Sequence, residues 1–425
     1  MEGLRPLSLT AGTPEGFSDE QVRQALLQAF QGLKGRLRKV LLVPPDFTRF
    51  HSQAGLITQL LYDWLSPDCR VDILPALGTH VPVSQADWEL MYAGIPMETM
   101  LTHHWRDEVR LIGEIPGSFV SAVSGGLMDQ AIPVEINRHL LDPSYDLILS
   151  IGQVVPHEVA GMANQAKNIF VGCGGTRMIN TSHMVGAICG MESFMGQDES
   201  PVRALLDYAA EHFLSRLPLC YVLTVTTAIH NSVTLHGLFI GNERNAFEDA
   251  VVLSQQKNIV HLDRPIKKCV VNLDENEFHA TWIGNKAIYR TRMAIKDGGE
   301  LIILAPGVKR FGEDATIDGL IRKYGYCGRD KLLLRVREEA DLHQNLSAAA
   351  HIIHGSSEGR FKITYCTRHL TREEIEGVGY CYLPYEEALK KYTGLQQGWN
   401  QTGNGEEIYY IQNPALGLWM AKDRS

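Results

Sequence analysis

The sequence predicts an α/β protein of two domains, each with a parallel or mixed sheet flanked by helices. The chain has 425 residues, 44% of them hydrophobic, and short apolar runs alternate with helix-like segments. This length exceeds one compact core, since a domain usually holds about 100 to 200 residues. Alternating strands and helices are typical of parallel sheets covered by helices. We expect an N-terminal catalytic and cofactor-binding domain at 1–265 and a smaller C-terminal domain at 266–425.

The N-terminal domain shows three predicted strands that each lead into a polar loop. Residues 39–43 end at a Pro-Pro pair, residues 71–77 lead into Gly-Thr-His, and residues 145–155 lead into Pro-His. Their branched apolar side chains are typical of buried strands. In open α/β sheets, ligands bind where the strands end. We therefore expect the three loops to form a ligand site.

The second half of the chain repeats this rhythm after a pause. Polar and proline residues at 261–268 break the periodicity and predict a linker. Residues 285–295 read as a helix ended by Gly298, followed by an apolar strand at 301–305. Lys286 would begin that helix, and taken alone it would be a solvated helix end.

Composition and charge exclude several classes of protein. The formal net charge of -9 argues against an unspecific nucleic-acid binder. No apolar run approaches the ~18 residues that cross a bilayer, and the N-terminus lacks the order of a signal peptide. The eight cysteines include no CxxC pair and read as free thiols. We expect a cytoplasmic protein with neither nucleic-acid nor membrane partners.

The first two loops carry groups suited to anion binding and proton transfer. Asp46-Phe47-Thr48-Arg49 follows the first strand, and an arginine can hold a carboxylate or phosphate through two parallel hydrogen bonds. His80 ends the Gly-Thr-His loop and is a candidate general acid or base. Each also has a structural alternative, a surface ion pair for the first loop and a hydrogen-bonded loop histidine for the second.

The third loop places two imidazoles and an amine around a glycine-rich turn. His157 can transfer protons, Lys167 can form a covalent link, and His183 can ligate a metal. A site built from metal ligands alone has little support, because no second histidine or cysteine lies three or four residues from any of them.

The glycine-rich turn itself predicts a phosphate cradle. Gly172, Gly174 and Gly175 would let backbone N–H groups approach an anion, and Thr176 would add a hydroxyl. Neither GxGxxG nor GxxxxGK[ST] occurs there, so ordinary dinucleotide or ATP binding has little support.

Taken together and in order, these residues resemble the nickel-dependent lactate racemase family, whose pincer-nucleotide cofactor is joined to a lysine. The matching motifs are DxTR at 46–49, GTH at 78–80 and PHxxxGxxxxxK at 156–167, followed by His183 and Lys286. The resemblance spans nearly the whole chain. It implies an isomerase, a 2-hydroxyacid racemase or epimerase that inverts C2 by hydride transfer through a 2-keto acid.

The resemblance also implies a role for each residue. Lys167 would carry the nickel-pincer nucleotide as a thioamide, and His183 would ligate the nickel beside the cofactor's own sulfur, carbon and sulfur donors. His80 and His157 would transfer protons, one on each face of the substrate. The substrate carboxylate would lie between Arg49 and Lys286, in a cleft between the domains. Enzymes that synthesise the cofactor would be required partners, and the further cofactor-binding candidates are Asp46, Thr48, Gly174, Gly175 and Thr176.

Three segments depart from the lactate racemase pattern. Residues 162–166 replace a glycine- and serine-rich stretch, residues 50–51 replace a proline, and residues 282–283 replace a tyrosine-glutamine pair. His51 and Asn164 could hydrogen-bond extra hydroxyls, so the substrate is either a simple 2-hydroxy acid or a sugar acid of the aldonate type. Two other classes remain open: a cofactor-free protein that binds or senses sugar acids, and a zinc- or iron-dependent hydrolase.

Overall fold

The computed structural model describes residues 3–229, 232–403 and 405–423. The chain forms two compact units, Met1–Ser182 with Phe194–Asn258 and His183–Ser193 with Ile259–Ser425. The main change of unit therefore falls a few residues before the boundary expected at 265/266, and one short earlier segment also belongs to the second unit. Each unit combines helices with a mixed sheet, so the predicted α/β class is confirmed.

The first unit is built on a sheet with a parallel centre and an antiparallel margin. Its strands are β1 (Leu7–Thr10), β2 (Lys39–Val43), β3 (Arg70–Ile73), β4 (Val109–Ile115), β5 (Ile132–Asn137), β6 (Leu147–Gln153), β7 (Pro156–His157), β8 (Gly161–Met162), β9 (Leu219–Ile229) and β10 (Ser232–Gly241). The main sheet has the order β1-β10-β9-β6-β2-β3. Strands β3, β2, β6 and β9 run parallel, whereas β10 and β1 are antiparallel to their neighbours. Two small antiparallel pairs, β4 with β5 and β7 with β8, lie outside it.

Helices cover this sheet because they present apolar stripes to it. The helices are α1 (Asp19–Phe30), α2 (Ala54–Leu65), α3 (Gln85–Met91), α4 (Gly117–Val123), α5 (Thr176–Cys189), α6 (Pro201–Phe213) and α7 (Asn245–Asn258). Phe30 of α1 and Ile57 of α2 pack in one core cluster with Leu42 and Leu149 from the sheet. Ser18 fixes the start of α1 through a capping box, which satisfies otherwise unpaired N–H groups.

The three predicted polar loops do follow strands that end at one edge of this sheet. Leu42 pairs in register with both Ile73 and Leu149, so β2, β3 and β6 reach that edge together. Strand β3 ends at Ile73 instead of residue 77, and the chain continues as a loop. The Gly78 N–H then donates to the Gly172 carbonyl at 2.8 Å, which ties the second loop to the glycine-rich turn.

The second unit has a sheet of the same general kind. Its strands are β11 (Ile259–Leu262), β12 (Ile266–Asn272), β13 (Ile295–Leu304), β14 (Lys362–Cys366), β15 (Cys381–Tyr382), β16 (Gly398–Gln401), β17 (Glu407–Ile411) and β18 (Leu418–Ala421). The main sheet has the order β15-β14-β13-β12-β17-β16, parallel except for β16. The helices are α8 (Thr281–Gly284), α9 (Lys286–Tyr289), α10 (Ala315–Tyr324), α11 (Arg329–Glu338), α12 (Ala340–His343), α13 (Leu346–His354), α14 (Arg372–Gly377) and α15 (Tyr385–Tyr392).

Two sequence predictions for this unit are wrong. The expected linker at 261–268 instead contributes to strands β11 and β12. The expected helix at 285–295 is only the short α9, after which the chain enters β13, and Gly298 lies inside that strand. Arg292 explains the interruption, because its buried guanidinium donates to the carbonyls of His354 and Ser356. Tertiary contacts here override local helix propensity.

No helix among the described residues has the length and apolarity needed to cross a membrane.

Candidate active site

Asp46 and His80 form a hydrogen-bonded pair at the strand-end edge of the first unit. Asp46 caps the short 3-10 helix Phe47–Ser52, and its Oδ1 accepts the Thr48 N–H at 3.1 Å. Its Oδ2 lies 2.6 Å from Nδ1 of His80. Burial by itself would raise the pKa of Asp46, but His80, Thr48 and Arg49 outweigh it and hold that pKa below its usual value. The carboxylate is therefore ionised.

This pair fixes the proton position on His80. An ionised carboxylate can only accept hydrogen bonds, so Nδ1 of His80 must be the donor. In the neutral ring, Nε2 is then the unprotonated nitrogen. His80 is half-buried, with its side chain 29% exposed. The geometry gives His80 a proton-accepting nitrogen that points away from Asp46.

His157 has the opposite arrangement. It ends β7 in the small hairpin with β8, and its side chain is buried. The backbone N–H of Val159 donates to its Nδ1 at 3.1 Å, so in the neutral ring the proton lies on Nε2. The Oε2 atom of Glu158 lies 3.7 Å from the same Nδ1. His157 therefore presents a proton-donating Nε2, and a carboxylate stands near its other nitrogen.

Lys167 is half-buried and lies just before the π-helix Asn168–Gly172. Burial, together with the positive charges of Arg49 and Arg203, lowers the pKa of Lys167 to about 7, although Glu158 and Asp46 oppose the shift. A large fraction of this amine is therefore unprotonated at neutral pH. An unprotonated amine is the nucleophilic form, which suits a covalent link.

Arg49 lies within the short 3-10 helix that Asp46 caps, and it is half-buried. Its charge lowers the pKa of both Asp46 and Lys167, which places it in the electrostatic neighbourhood of both. The first loop and the third loop, far apart in sequence, thus share one site.

The turn that leads to Lys167 has an unusual backbone. Asn164 and Gln165 have φ values of 71° and 56°, the left-handed region that glycine adopts most easily. Two non-glycine residues thus adopt a backbone conformation that glycine favours. The Asn164 Oδ1 accepts the Gln165 N–H at 2.7 Å, and the Gln165 Oε1 accepts the Ala166 N–H at 2.6 Å.

Asn164, which the sequence offered as a hydrogen-bond partner for extra substrate hydroxyls, is poorly placed for that role. Its side chain is 7% exposed and lies against Gly152, where a Cβ would come within 2.4 Å of its Nδ2. Asn164 therefore stabilises its own turn and has little surface to offer a ligand.

The glycine-rich turn gives no support to the predicted phosphate cradle. The Gly175 N–H donates to the Glu135 carbonyl at 3.1 Å, and the Arg177 N–H donates to the Glu135 carboxylate at 3.2 Å. The Arg177 guanidinium binds the same carboxylate at 2.6 Å. A Cβ on Gly174 would come within 1.8 Å of the Phe170 carbonyl oxygen. These glycines are needed for close backbone packing, and a protein carboxylate already faces the start of α5.

Helix α5 begins at Thr176, earlier than the start expected near residue 182, and it carries His183. His183 is half-buried and is assigned to the second unit, whereas the residues of α5 before it belong to the first. Among the described residues, no cluster of three or more histidine, cysteine, aspartate or glutamate side chains is arranged to hold a metal ion.

Lys286 is not a solvated helix end. It is 8% exposed at the start of α9, and its Nζ lies 5.6 Å from the centroid of the buried Phe278 ring. Trp282 and Ile283, one turn earlier, are half-buried, and Trp282 packs on His351 with ring centroids 4.4 Å apart. Lysine side chains are seldom this deeply buried.

Sequence reasoning missed four groups that shape this site. Glu158 lies beside its chain neighbour His157, whereas Arg203 and Glu135 reach the site through partners distant in sequence. Gln165 has no sequence mark of a left-handed conformation. One signal was available for Arg203, because it stands among the apolar positions of an amphipathic helix, beside Val202. An arginine on the buried face of a helix indicates a specific partner.

The lactate racemase N-terminal domain family matches residues 13–196. A crystal structure of a Thermotoga maritima protein, a target of the Northeast Structural Genomics Consortium, superposes with a TM-score of 0.85 at 24% identity, over 97% of this chain and 100% of that chain. The lactate racemase apoprotein from Thermoanaerobacterium thermosaccharolyticum superposes with a TM-score of 0.71 at 18% identity, over 99% of this chain and 96% of that chain. No curated protein matches. The match to the lactate racemase N-terminal domain family covers less than half of the chain, and the two structures show that the chain as a whole shares their fold.

Proposed function

We propose that this protein is a 2-hydroxyacid racemase or epimerase that uses a nickel-pincer nucleotide attached to Lys167. One observation carries the proposal. The first unit gathers the ionised Asp46–His80 pair, the Arg49 cation and a lysine whose pKa is about 7 at the edge where its parallel strands end. A proton acceptor, a carboxylate-binding cation and a nucleophilic amine are the groups that this chemistry requires.

The residues around Lys167 fit such a cofactor in two respects. The amine is substantially unprotonated at neutral pH, and the cations Arg49 and Arg203 in its surroundings favour an anionic nucleotide. His183 would be the protein ligand of the nickel. When bound, the cofactor would accept the hydride from C2 of the substrate and return it. The nucleotide phosphate would have to bind elsewhere than at the N–H groups of Gly175 and Arg177.

The two histidines would divide the proton transfers. The unprotonated Nε2 of His80 takes the hydroxyl proton of the substrate, and the Asp46 carboxylate stabilises the resulting imidazolium. On the other face, protonated His157 delivers its Nε2 proton to the carbonyl oxygen of the keto acid. One proton thus leaves the substrate and one returns, so the product differs from the substrate only at C2.

His157 must bear a second proton before it can act as the acid. Its Nδ1 faces the Val159 N–H in the neutral state, and this contact is repulsive once Nδ1 is protonated. The Glu158 carboxylate, 3.7 Å from Nδ1, is the group to which the protonated ring would turn. After donating from Nε2, His157 retains the Nδ1 proton and can serve as the base in the reverse direction.

Arg49 and Lys286 would bind the substrate carboxylate, since both carry positive charge and both are withdrawn from solvent. A bidentate arginine contact would fix the direction of the C1 carboxylate and so orient C2.

A simple 2-hydroxy acid with an apolar substituent is favoured over an aldonate. Phe50 and Val81 directly follow Arg49 and His80 and are 44% and 57% exposed. In the second unit, the half-buried Trp282 and Ile283 precede Lys286 by one helical turn. Apolar side chains beside the binding groups suit an apolar substituent, whereas a polyhydroxylated chain needs hydrogen-bond partners. His51 remains a candidate contact for a hydroxyl.

Intact-mass measurement and nickel analysis test the cofactor assignment. The full chain is produced with and without the cofactor-synthesis enzymes, beside a Lys167→Met variant made in parallel. We expect added mass and nickel in the co-produced protein, with the covalent mass absent in the variant. If the wild-type chain gains neither mass nor nickel, the assignment is wrong. Tight aldonate binding by that unmodified protein would then support the binding-protein alternative, and hydrolysis restored by zinc or iron would support the hydrolase.

A further inference from the structure

Arg203 is a buried arginine that binds the turn preceding Lys167. It lies on α6, is 1% exposed, and stacks over the Phe247 ring at 4.4 Å from the centroid. One terminal nitrogen donates to the Met162 carbonyl at 2.7 Å, and the other donates to the Gln165 Oε1 at 3.3 Å. Both terminal nitrogens also lie 3.4 Å from the Asn164 carbonyl oxygen. One guanidinium thus spans the whole left-handed turn.

The partners of Arg203 are unusual for a buried charge. Buried cations are normally paired with a carboxylate, because an uncompensated charge in the interior is costly. In the described chain, the hydrogen bonds of Arg203 go to neutral oxygens of the turn, whereas the nearby Asp207 carboxylate binds Arg244 at 3.1 Å. The other buried residues of α6, such as Val202 and Leu206, are apolar, so burial on this helix does not itself call for a charged side chain. The arginine therefore serves the turn specifically.

The turn needs an external clamp because its backbone is strained. Asn164 and Gln165 adopt positive φ without being glycine, which costs on the order of 1 kcal/mol for each residue. Their own side chains satisfy only the N–H groups of the following residues. Arg203 satisfies the carbonyl side of the turn, and so it determines the direction in which the chain enters Lys167.

The charge of Arg203 acts on the same lysine. A neighbouring cation disfavours the protonated amine, so Arg203 adds to burial and to Arg49 in lowering the pKa of Lys167, against the opposite effects of Glu158 and Asp46.

We propose that Arg203 is a positioning residue for the Lys167 amine: it clamps the turn at 162–165 and holds a positive charge beside the lysine that follows. This goes beyond the proposed function, because it concerns the reactivity of Lys167 in the unmodified chain and holds whichever group becomes attached there.

Competitive acetylation of the purified, unloaded full-length protein tests the charge. Acetic anhydride is applied across a pH series, and the Lys167 peptide is quantified by mass spectrometry against exposed Lys34 as internal reference. We expect a wild-type midpoint at about pH 7. Arg203→Met should move it upward by about half a unit or more, because one cation is lost. Arg203→Lys, which keeps the charge, should leave it in place.

The matched control is Arg244→Met. Arg244 also lies near the Phe247 ring, at 5.7 Å, but it binds Asp198 and Asp207 and makes no hydrogen bond to the turn. Its removal should leave the midpoint unchanged. The proposal is overturned if folded Arg203→Met keeps the wild-type midpoint, or if Arg244→Met shifts it equally.

The hydrogen bonds from Arg203 to the turn at 162–165 are tested separately in Arg203→Lys. This variant is the milder change, so it can be measured even if Arg203→Met does not fold. Lysine cannot reproduce the forked contacts, so amide hydrogen exchange at 162–167 should increase at least several-fold while the acetylation midpoint stays. Unchanged exchange in that segment would overturn the positioning role.

Discussion

The loops that hold His80 and His157 belong to the same compact unit, yet they prepare the two imidazoles in opposite ways. Nδ1 of His80 donates a hydrogen bond to the Asp46 carboxylate, whereas Nδ1 of His157 accepts a hydrogen bond from the Val159 N–H. The first ring therefore offers a lone pair at Nε2 and the second offers a proton. A reaction that removes a proton on one face and returns one on the other needs one ring as base and the other, once protonated, as acid.

The two loops also differ in the partner that each offers to Nδ1 of its histidine. The His80 ring is paired with a carboxylate whose pKa is lowered, so its tautomer is fixed over a wide pH range. His157 has a neutral donor and, at 3.7 Å, a carboxylate near the same nitrogen. We infer that the proton on Nδ1 of His80 is fixed in place, whereas Nδ1 of His157 can change its hydrogen-bond partner when the ring is protonated.

Removal of either imidazole should have the largest effect. His80→Ala and His157→Ala are each expected to lower inversion by roughly 10²- to 10⁴-fold, the range of a general acid or base. Chiral chromatography of the products measures this, and nickel content should stay at the wild-type level in both. His212→Ala, an exposed histidine stacked on Tyr208, serves as control. Full activity in either variant removes that histidine from the mechanism.

In contrast, His183→Ala should lose nickel, since His183 would be the metal's protein ligand. Metal analysis of the purified variant separates this outcome from the previous one. Undiminished nickel in His183→Ala would contradict the assignment.

Asp46→Asn should have the next largest effect. An asparagine amide can turn its NH₂ toward Nδ1 and favour the tautomer with the proton on Nε2, so His80 would lose its acceptor. We expect a loss of about 100-fold or more in kcat, with the substrate KM changed much less. The imidazole ¹⁵N shifts of His80 in the two proteins check the cause. Wild-type activity with an unchanged tautomer would contradict the role of the pair.

Glu158→Gln should have the smallest effect on inversion and the one most specific to His157. Without the carboxylate, protonated His157 loses the partner for Nδ1, so we expect kcat to fall about tenfold, as for loss of a charge-assisted hydrogen bond. The decrease should be greatest at high pH, where the imidazolium is scarcest. Glu211→Gln, which changes an exposed carboxylate of the same unit, is the control. Identical pH profiles for the two variants would show that Glu158 has no special relation to His157.

The sequence predicted the edge of the sheet well and the interior of the site poorly. Strands β2, β3 and β6 are short apolar runs, each followed within three residues by a proline, so the meeting of Asp46 and His80 followed from parallel-sheet geometry. Hydrogen-bond direction does not follow from residue type. That His80 faces a carboxylate and His157 a backbone N–H depends on contacts made only after folding.

In the glycine-rich turn and in the turn before Lys167, residue type alone did not predict the local structure. Glycines at 174 and 175 predicted an anion site, but they allow close packing against Phe170 and Glu135. Gln165 gave no sign of a left-handed backbone, and yet it adopts one where its side chain accepts a hydrogen bond from Arg203. Steric crowding and long-range hydrogen bonds decide both cases.

The second unit was predicted less well for a related reason. Residues 285–295 have helical periodicity, but the buried side chain of Arg292 is held by distant carbonyls and the chain turns into β13. Lys286, which its local sequence alone predicts to be a solvated helix end, is instead buried beside Phe278.

The most direct test of the account follows the C2 hydrogen itself. Protein loaded with cofactor is incubated in ordinary water with a single enantiomer of a C2-deuterated 2-hydroxy acid bearing an apolar substituent, and the inverted product is analysed by mass spectrometry. The account predicts that the inverted product retains deuterium at C2, because the hydrogen leaves and returns as hydride while only the hydroxyl proton passes through His80 and His157. Inversion with deuterium washed out to solvent, or no inversion by loaded protein with any such acid, would contradict it.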